Sequence, residues 1–169
     1  MEVMEALRTR RSIRQFENRP VPDEMVREIL EAAMMAPSAI NAQPWQFVVV
    51  TDRAALDAVA DVHAYVKMAL QAPLGILVCG DLSKERYPGY WVQDCSAAME
   101  NLLLAAHGLG LGAVWTGIHP MEERVAAYRA LFNLPAHVIP LGFAPIGWPA
   151  KVPESESRFN PDRVHYNTY

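Results

Sequence analysis

Two short stretches of this 169-residue chain carry side chains suited to holding a small charged or polar ligand. The first is Arg8-Thr-Arg-Arg-Ser-Ile-Arg14, with Ser12 set among four arginines. A phosphate dianion needs about two positive charges and several donors, and the planar guanidinium fork supplies both. The competing reading is a solvated basic face at a helix end, where cations suit the dipole. The second stretch is Ala36-Pro-Ser-Ala-Ile-Asn-Ala-Gln-Pro-Trp45. Pro37 and Pro44 bracket Ser38, Asn41 and Gln43, whose groups can donate and accept at a flat heterocycle rich in carbonyls and ring nitrogens. Turn residues bonding their own backbone explain Ser38 and Asn41 equally well, and Gln43 less well.

Other chemistry is thinly represented. Gly108-Leu-Gly-Leu-Gly112 looks like part of a dinucleotide fingerprint, but it follows a helix and enters a strand, the reverse of what that fingerprint needs. Gly108 and Gly110 therefore read as a helix stop. Thr116-Gly117, at a strand end, lets backbone N–H groups come close to a ligand. The histidines (His63, His107, His119, His137 and His165) lack metal-ligand spacing. There is no Gly-x-Ser-x-Gly elbow and no phosphate-cradling P-loop. The lack of an acid–base constellation suits an enzyme whose chemistry a cofactor carries.

Charge and composition narrow the partners. The chain has a net charge of −4, yet residues 1–20 hold five arginines against three acids, so the remainder carries −6. A basic spot on an acidic protein suits one compact anion better than a nucleic acid. Hydrophobic residues make up 51% and charged residues 20%, a globular balance for one domain. Cys79 and Cys95 stand alone, which implies neither a disulfide framework nor a metal site, and a reducing, cytoplasmic setting. The N-terminus lacks an apolar signal core, and no apolar run is long enough for a membrane span.

The elements that must position these residues follow from periodicity. Residues 2–9 read as a short helix and Asp23–Met35 as a clearer one, with acids in its first turn. Trp45–Thr51 and Leu74–Cys79 read as buried strands, separated by a helical stretch over 52–71 in one or two pieces. Residues 90–107 form a long helix that is apolar on more than one face, which predicts cover on all sides and hence a subunit interface. Ala113–Gly117 reads as a strand, Pro120–Phe132 as a helix with proline in its first turn, and Val138–Gly147 as the last strand. The irregular tail, 148–169, ends in Val164, Tyr166 and Tyr169, and these anchors predict that it packs on a surface, such as a partner subunit.

Five motifs in order resemble the FMN-dependent nitroreductase family over nearly the whole chain. They are Arg10-Arg-Ser-Ile-Arg-Gln-Phe16, Pro37-Ser-Ala-Ile-Asn-Ala-Gln-Pro-Trp45, Asp94–Gly117, Gly142–Pro149 and Ser157-Arg-Phe159. The resemblance implies an α+β fold, a mixed but largely antiparallel sheet flanked by helices, in an intertwined homodimer. It implies that residues 1–169 form a single FMN-binding domain. Arg10, Arg11 and Ser12 would hold the FMN phosphate, with Arg14 near the ribityl or phosphate. Arg158, or alternatively Arg163, would close on that phosphate from the tail. Ser38 and Asn41 would contact the flavin from the other subunit, and Pro37 and Gln43 would belong to the same cofactor-binding set. Lys67 would lie at the N1/O2 edge and offset the charge gained on reduction. Backbone N–H groups of Thr116 and Gly117 would face N5. NAD(P)H would be the reductant, and a nitroaromatic, quinone or similar molecule the acceptor. Ala39 stands where many members carry a second serine, and Glu156 where a lysine often precedes the tail arginine by two residues. Those departures keep open a flavin-binding or regulatory module without turnover.

Overall fold

The computed structural model describes all residues, Met1–Tyr169. Strands β1 (Trp45–Val50), β2 (Leu74–Asp81) and β5 (Val138–Gly147) form the body of one sheet, in the order β1-β2-β5. Two short strands, β3 (Gly112–Ala113) and β4 (Thr116–Gly117), continue it on the far side of β5. Every strand pair is antiparallel, and an isolated parallel bridge joins Ser12 to Ala113. The expected mixed, largely antiparallel α+β sheet is therefore present.

Helices cover both faces. β2 alternates, so Leu74, Ile76 and Val78 pack with Ile29 and Ala33 of α2 (Asp23–Met34) and with Met99 and Leu102 of α4 (Tyr90–Gly108). Leu77 and Cys79 face the other way, toward Leu56 and Val59 of α3 (Arg53–Val62) and Tyr128 of α5 (Glu122–Leu131). This two-sided burial explains why β2 reads as an unbroken apolar run. α1 (Val3–Thr9) buries none of its residues and serves mainly to deliver the arginines that follow it. In α4 one face is buried, but Val92, Ala97 and Leu104 remain half-buried and Gln93 exposed, so a single chain does not cover the helix all round.

Three local departures from the sequence reading have physical causes. The strand expected over Ala113–Gly117 is broken in two, although both pieces keep one register against β5. That register places Val114 opposite Pro145, which has no N–H to give the ladder. α5 begins at Glu122, so Pro120 lies outside it. The 52–71 stretch is α3 followed by a 3-10 turn over Ala64–Leu70. A bulge in the β2–β5 pairing leaves Leu141 as the extra residue, and its carbonyl accepts from the N–H groups of both Ile118 and His119.

His63 is 2% exposed, and its Nδ1 lies 3.1 Å from the Tyr128 hydroxyl. Burial first, and the charge of Arg124 second, push its pKa below the ordinary histidine value. The native state then takes up this proton less readily than the unfolded chain. The stabilisation is complete above about pH 6.5 and is lost as pH falls through the lowered value. His107 is shifted the same way, by burial and then Arg10. Thermal midpoints recorded from pH 7.5 to 5 should fall on acidification, with a shallower slope in His63→Gln.

Candidate functional site

The chain turns from α1 into an extended segment that delivers the arginine cluster, and the tail lies along that segment. Glu17 N donates to Trp148 O, Ala150 N to Gln15 O, Arg11 Nε to Glu154 O at 2.9 Å, and Ser155 Oγ to Arg8 O at 2.6 Å. The two ends of the chain thereby flank a half-open cavity of about 470 Å³. Arg8, Arg10, Arg11 and Arg158 line it, against one acid, Glu156. Arg10 Nε is 3.3 Å from Glu100 Oε1 of α4, which fixes its orientation. Arg163 lies outside, in a short 3-10 turn further along the tail. Ser12 is tied to β3 through its bridge to Ala113, and Arg14 is exposed.

The loop after α2 is held in an unusual shape. Ile40, Asn41 and Gln43 all have positive φ, at 47°, 58° and 49°. Such conformations cost on the order of 1–3 kcal/mol each and persist only where surroundings enforce them. Here Ser38 Oγ accepts from Gln43 N at 3.0 Å, and Asn41 Oδ1 accepts from Gln43 Nε2 at 2.9 Å. Below the loop, the buried Asp94 carboxylate of α4 accepts from Ala39 N at 2.9 Å. Asp94→Ala removes that acceptor and should cost about 1–3 kcal/mol in urea unfolding, with faster proteolytic nicking at 37–43. Ile40, Asn41 and Gln43 point to solvent, and Ile40 is 55% exposed.

At the sheet edge, Ile118 N donates to Leu141 O, so Ile118 and Leu141 form a bonded pair of the ladder. Antiparallel alternation then bonds Thr116 to Phe143 and turns the N–H and C=O of Gly117 away from β5. Thr116 is spent on structure, its hydroxyl also donating to Phe143 O at 2.6 Å. Gly117 keeps an N–H outside the ladder, and a Cβ built there would meet nothing within 4 Å. Lys67 sits on the outside of its 3-10 turn and donates to Ala60 O at 2.9 Å, while the neighbouring Met68 packs against Ile13 and Phe16.

The structure thus gathers Arg10, Arg11 and Arg158. It does not bring the 37–43 loop, Thr116 or Gly117 into their cavity. The loop is tied to Asp94 and the arginines to Glu100, six residues apart on α4. That spacing is a rise of about 9 Å and a turn of about 120° around the helix. Glu100 has no place in the sequence reading, and Asp94 and His107 appear there without these contacts. His107 Nε2 donates to Thr9 Oγ1, whose own proton goes to Glu5 O. An acid inside a largely apolar helix was the available signal for Asp94.

The nitroreductase family model matches residues 7–65 and 58–148, most of the chain and every element from α2 through β5. The chain belongs to the nitroreductase family. A Methanothermobacter thermautotrophicus protein provisionally named NADH dehydrogenase/NAD(P)H nitroreductase is 53% identical over 98% of this chain and 86% of its own length. A Bacteroides thetaiotaomicron structure with the same provisional name superposes with a TM-score of 0.94, at 42% identity over 98% of this chain and 97% of that one. A Desulfovibrio desulfuricans structure, provisionally called a nitroreductase and solved in complex with FMN, gives 0.87 at 34% identity, over 100% and 98% of the two chains. The nitroreductase match stops before the tail, so Arg158 and Arg163 both lie beyond it. No helix is long and apolar enough to cross a membrane, and no cluster of metal-ligating side chains is present.

Proposed function

We propose that this nitroreductase-family chain is an FMN-dependent oxidoreductase that uses NAD(P)H to reduce a nitroaromatic, quinone or similar acceptor. The observation that carries the reading is the cavity in which four arginines face one glutamate, flanked by the tail. Its surplus positive charge fits a phosphate dianion, and the open, unpaired amide of Gly117 fits a heteroatom of a flat ring. The chemistry FMN supplies when bound is two-electron carriage between a hydride donor and an acceptor. Arg10, Arg11 and Arg158 would hold the phosphate, with Ser12 and Arg14 beside them. Pro37, Ser38, Asn41 and Gln43 would shape a wall of the ring site, and Lys67 would supply a cation at its edge. The protein contributes position and electrostatics, not a nucleophile.

One chain holds these parts on separate sides of α4. A second copy would bring its 37–43 loop to the first copy's arginines, cover the half-buried face of α4, and give residues 156–169 a surface to lie on. Light scattering should then return twice 18.8 kDa. Reconstitution with FMN followed by gel filtration tests the main reading: bound flavin absorbance is expected, and its absence rejects it. A flavin-holding module without turnover is favoured by Glu156, whose charge opposes a phosphate in the cavity. Steady-state oxidation of NADH or NADPH with a quinone separates the two, since rapid turnover excludes the module.

A further inference from the structure

Arg124 occupies a place where a positive charge is electrostatically disfavoured. α5 starts at Glu122, so Arg124 lies in its first turn, where the helix dipole favours anions. No carboxylate forms an ion pair with it. Instead its Nη1 donates to Gly117 O at 3.0 Å, and the guanidinium lies 5.4 Å from the ring centroid of Tyr65. Tyr65 is 74% exposed, so the pair forms an open lip at the sheet edge and not a core contact. Within an extended strand, the N–H and C=O of one residue point to the same side. The cation that holds Gly117 O therefore stands on the same side as the free Gly117 N–H. Its charge also reaches inward, where, second to burial, it lowers the pKa of His63.

We propose that Arg124 is a positioning residue of the flavin site: it holds the Gly117 carbonyl, and with it the conformation of that residue, so that the free Gly117 N–H meets the bound ring, and its charge favours the ring in its electron-rich, reduced state. This rests on the FMN reading above. A guanidinium and an amide N–H on one side of the strand form a two-point donor site, which holds an electron-rich edge more tightly than a neutral one. Arg10, Arg11 and Arg158 would still anchor the phosphate, so affinity for oxidised FMN should depend little on Arg124.

The test is the midpoint potential of FMN-loaded wild type, Arg124→Gln and Arg124→Lys, measured by dye equilibration, with melting curves to confirm folding. Arg124→Gln should weaken the preference for reduced over oxidised FMN about tenfold, which lowers a two-electron potential by about 30 mV. Affinity for oxidised FMN should change by less than about threefold. Arg124→Lys keeps the charge and should recover at least half of the lost potential. An unchanged potential in a folded, FMN-loaded Arg124→Gln protein overturns the proposal. So does a Lys variant as low in potential as the Gln variant; if the Gln variant fails to fold, a loss of about 30 mV or more in the Lys variant overturns it too. Wild type that retains no FMN rejects the flavin reading itself, a result distinct from either.

Discussion

Arg158→Ala is expected to weaken FMN retention about ten- to a hundredfold, while Arg163→Ala should change it less than about twofold. A hydrogen bond to a charged group contributes about 1.5–3 kcal/mol, and 1.4 kcal/mol is one decade of affinity. Arg158 lines the arginine cavity and has no carboxylate partner, so its charge is available to a phosphate. Arg163 has the same charge but lies in the next turn of the tail, outside that cavity. The contrast between them tests placement, because removing either changes net charge equally. Arg10→Ala should also weaken retention, since Arg10 lines the same cavity, but less than Arg158→Ala, because Glu100 already offsets part of its charge. Dialysis at two salt concentrations provides a further check: the difference between wild type and Arg158→Ala should shrink as salt screens the phosphate. Equal retention by all three variants would remove the phosphate assignment.

Gly75→Ala should destabilise the protein by about 3 kcal/mol in urea unfolding. Gly75 sits in the middle of the sheet, and a Cβ there would collide with the edge and tip of the Phe143 ring. Phe143 is fully buried, with Tyr128 6.1 Å away between ring centroids, so its ring has little room to yield. Forcing extra atoms into such a core costs about 1–3 kcal/mol, and the top of that range applies where the obstructing group cannot swing aside. Against a total stability of roughly 5–15 kcal/mol, this is a large loss. Phe143→Leu alone should also destabilise, by leaving a void. Combined with Gly75→Ala it should recover part of the loss, and a double-mutant cycle with purely additive effects would disprove the steric coupling.

The fold was legible wherever a single local pattern decides the outcome. β5 was bounded correctly as Val138–Gly147 because ten residues of mixed β-branched and apolar character lie between a loop and Trp148. The split of β3 from β4 was not legible, because its cause lies in another strand: Pro145 matters only once β5 is known to pair with Val114. The site divides in the same way. The arginines at 8–14 left an anion site and a solvated basic face both open in the sequence, and only the family resemblance set Arg158 beside them; the structure lines one cavity with Arg8, Arg10, Arg11 and Arg158. Asp94 and Glu100 could not be assigned roles, since each acts through a residue at least fifty positions away. Arg124 carried a readable signal, a cation in the first turn of a helix, but what it serves is visible only when Gly117 is seen at its tip.

The order of strands in space has a consequence for how this chain comes off the ribosome. β5 lies between β2 and the β3–β4 pieces, yet it is translated after all of them. Until residue 147 emerges, β2 has one open flank, and Leu77 and Ile76 lack the neighbours that bury them. At about 5–20 residues per second, the nascent chain spends several seconds in that condition after β2 is made. β5 is thus the last strand available to the sheet, and the non-local pairings that close it on both flanks cannot form before then.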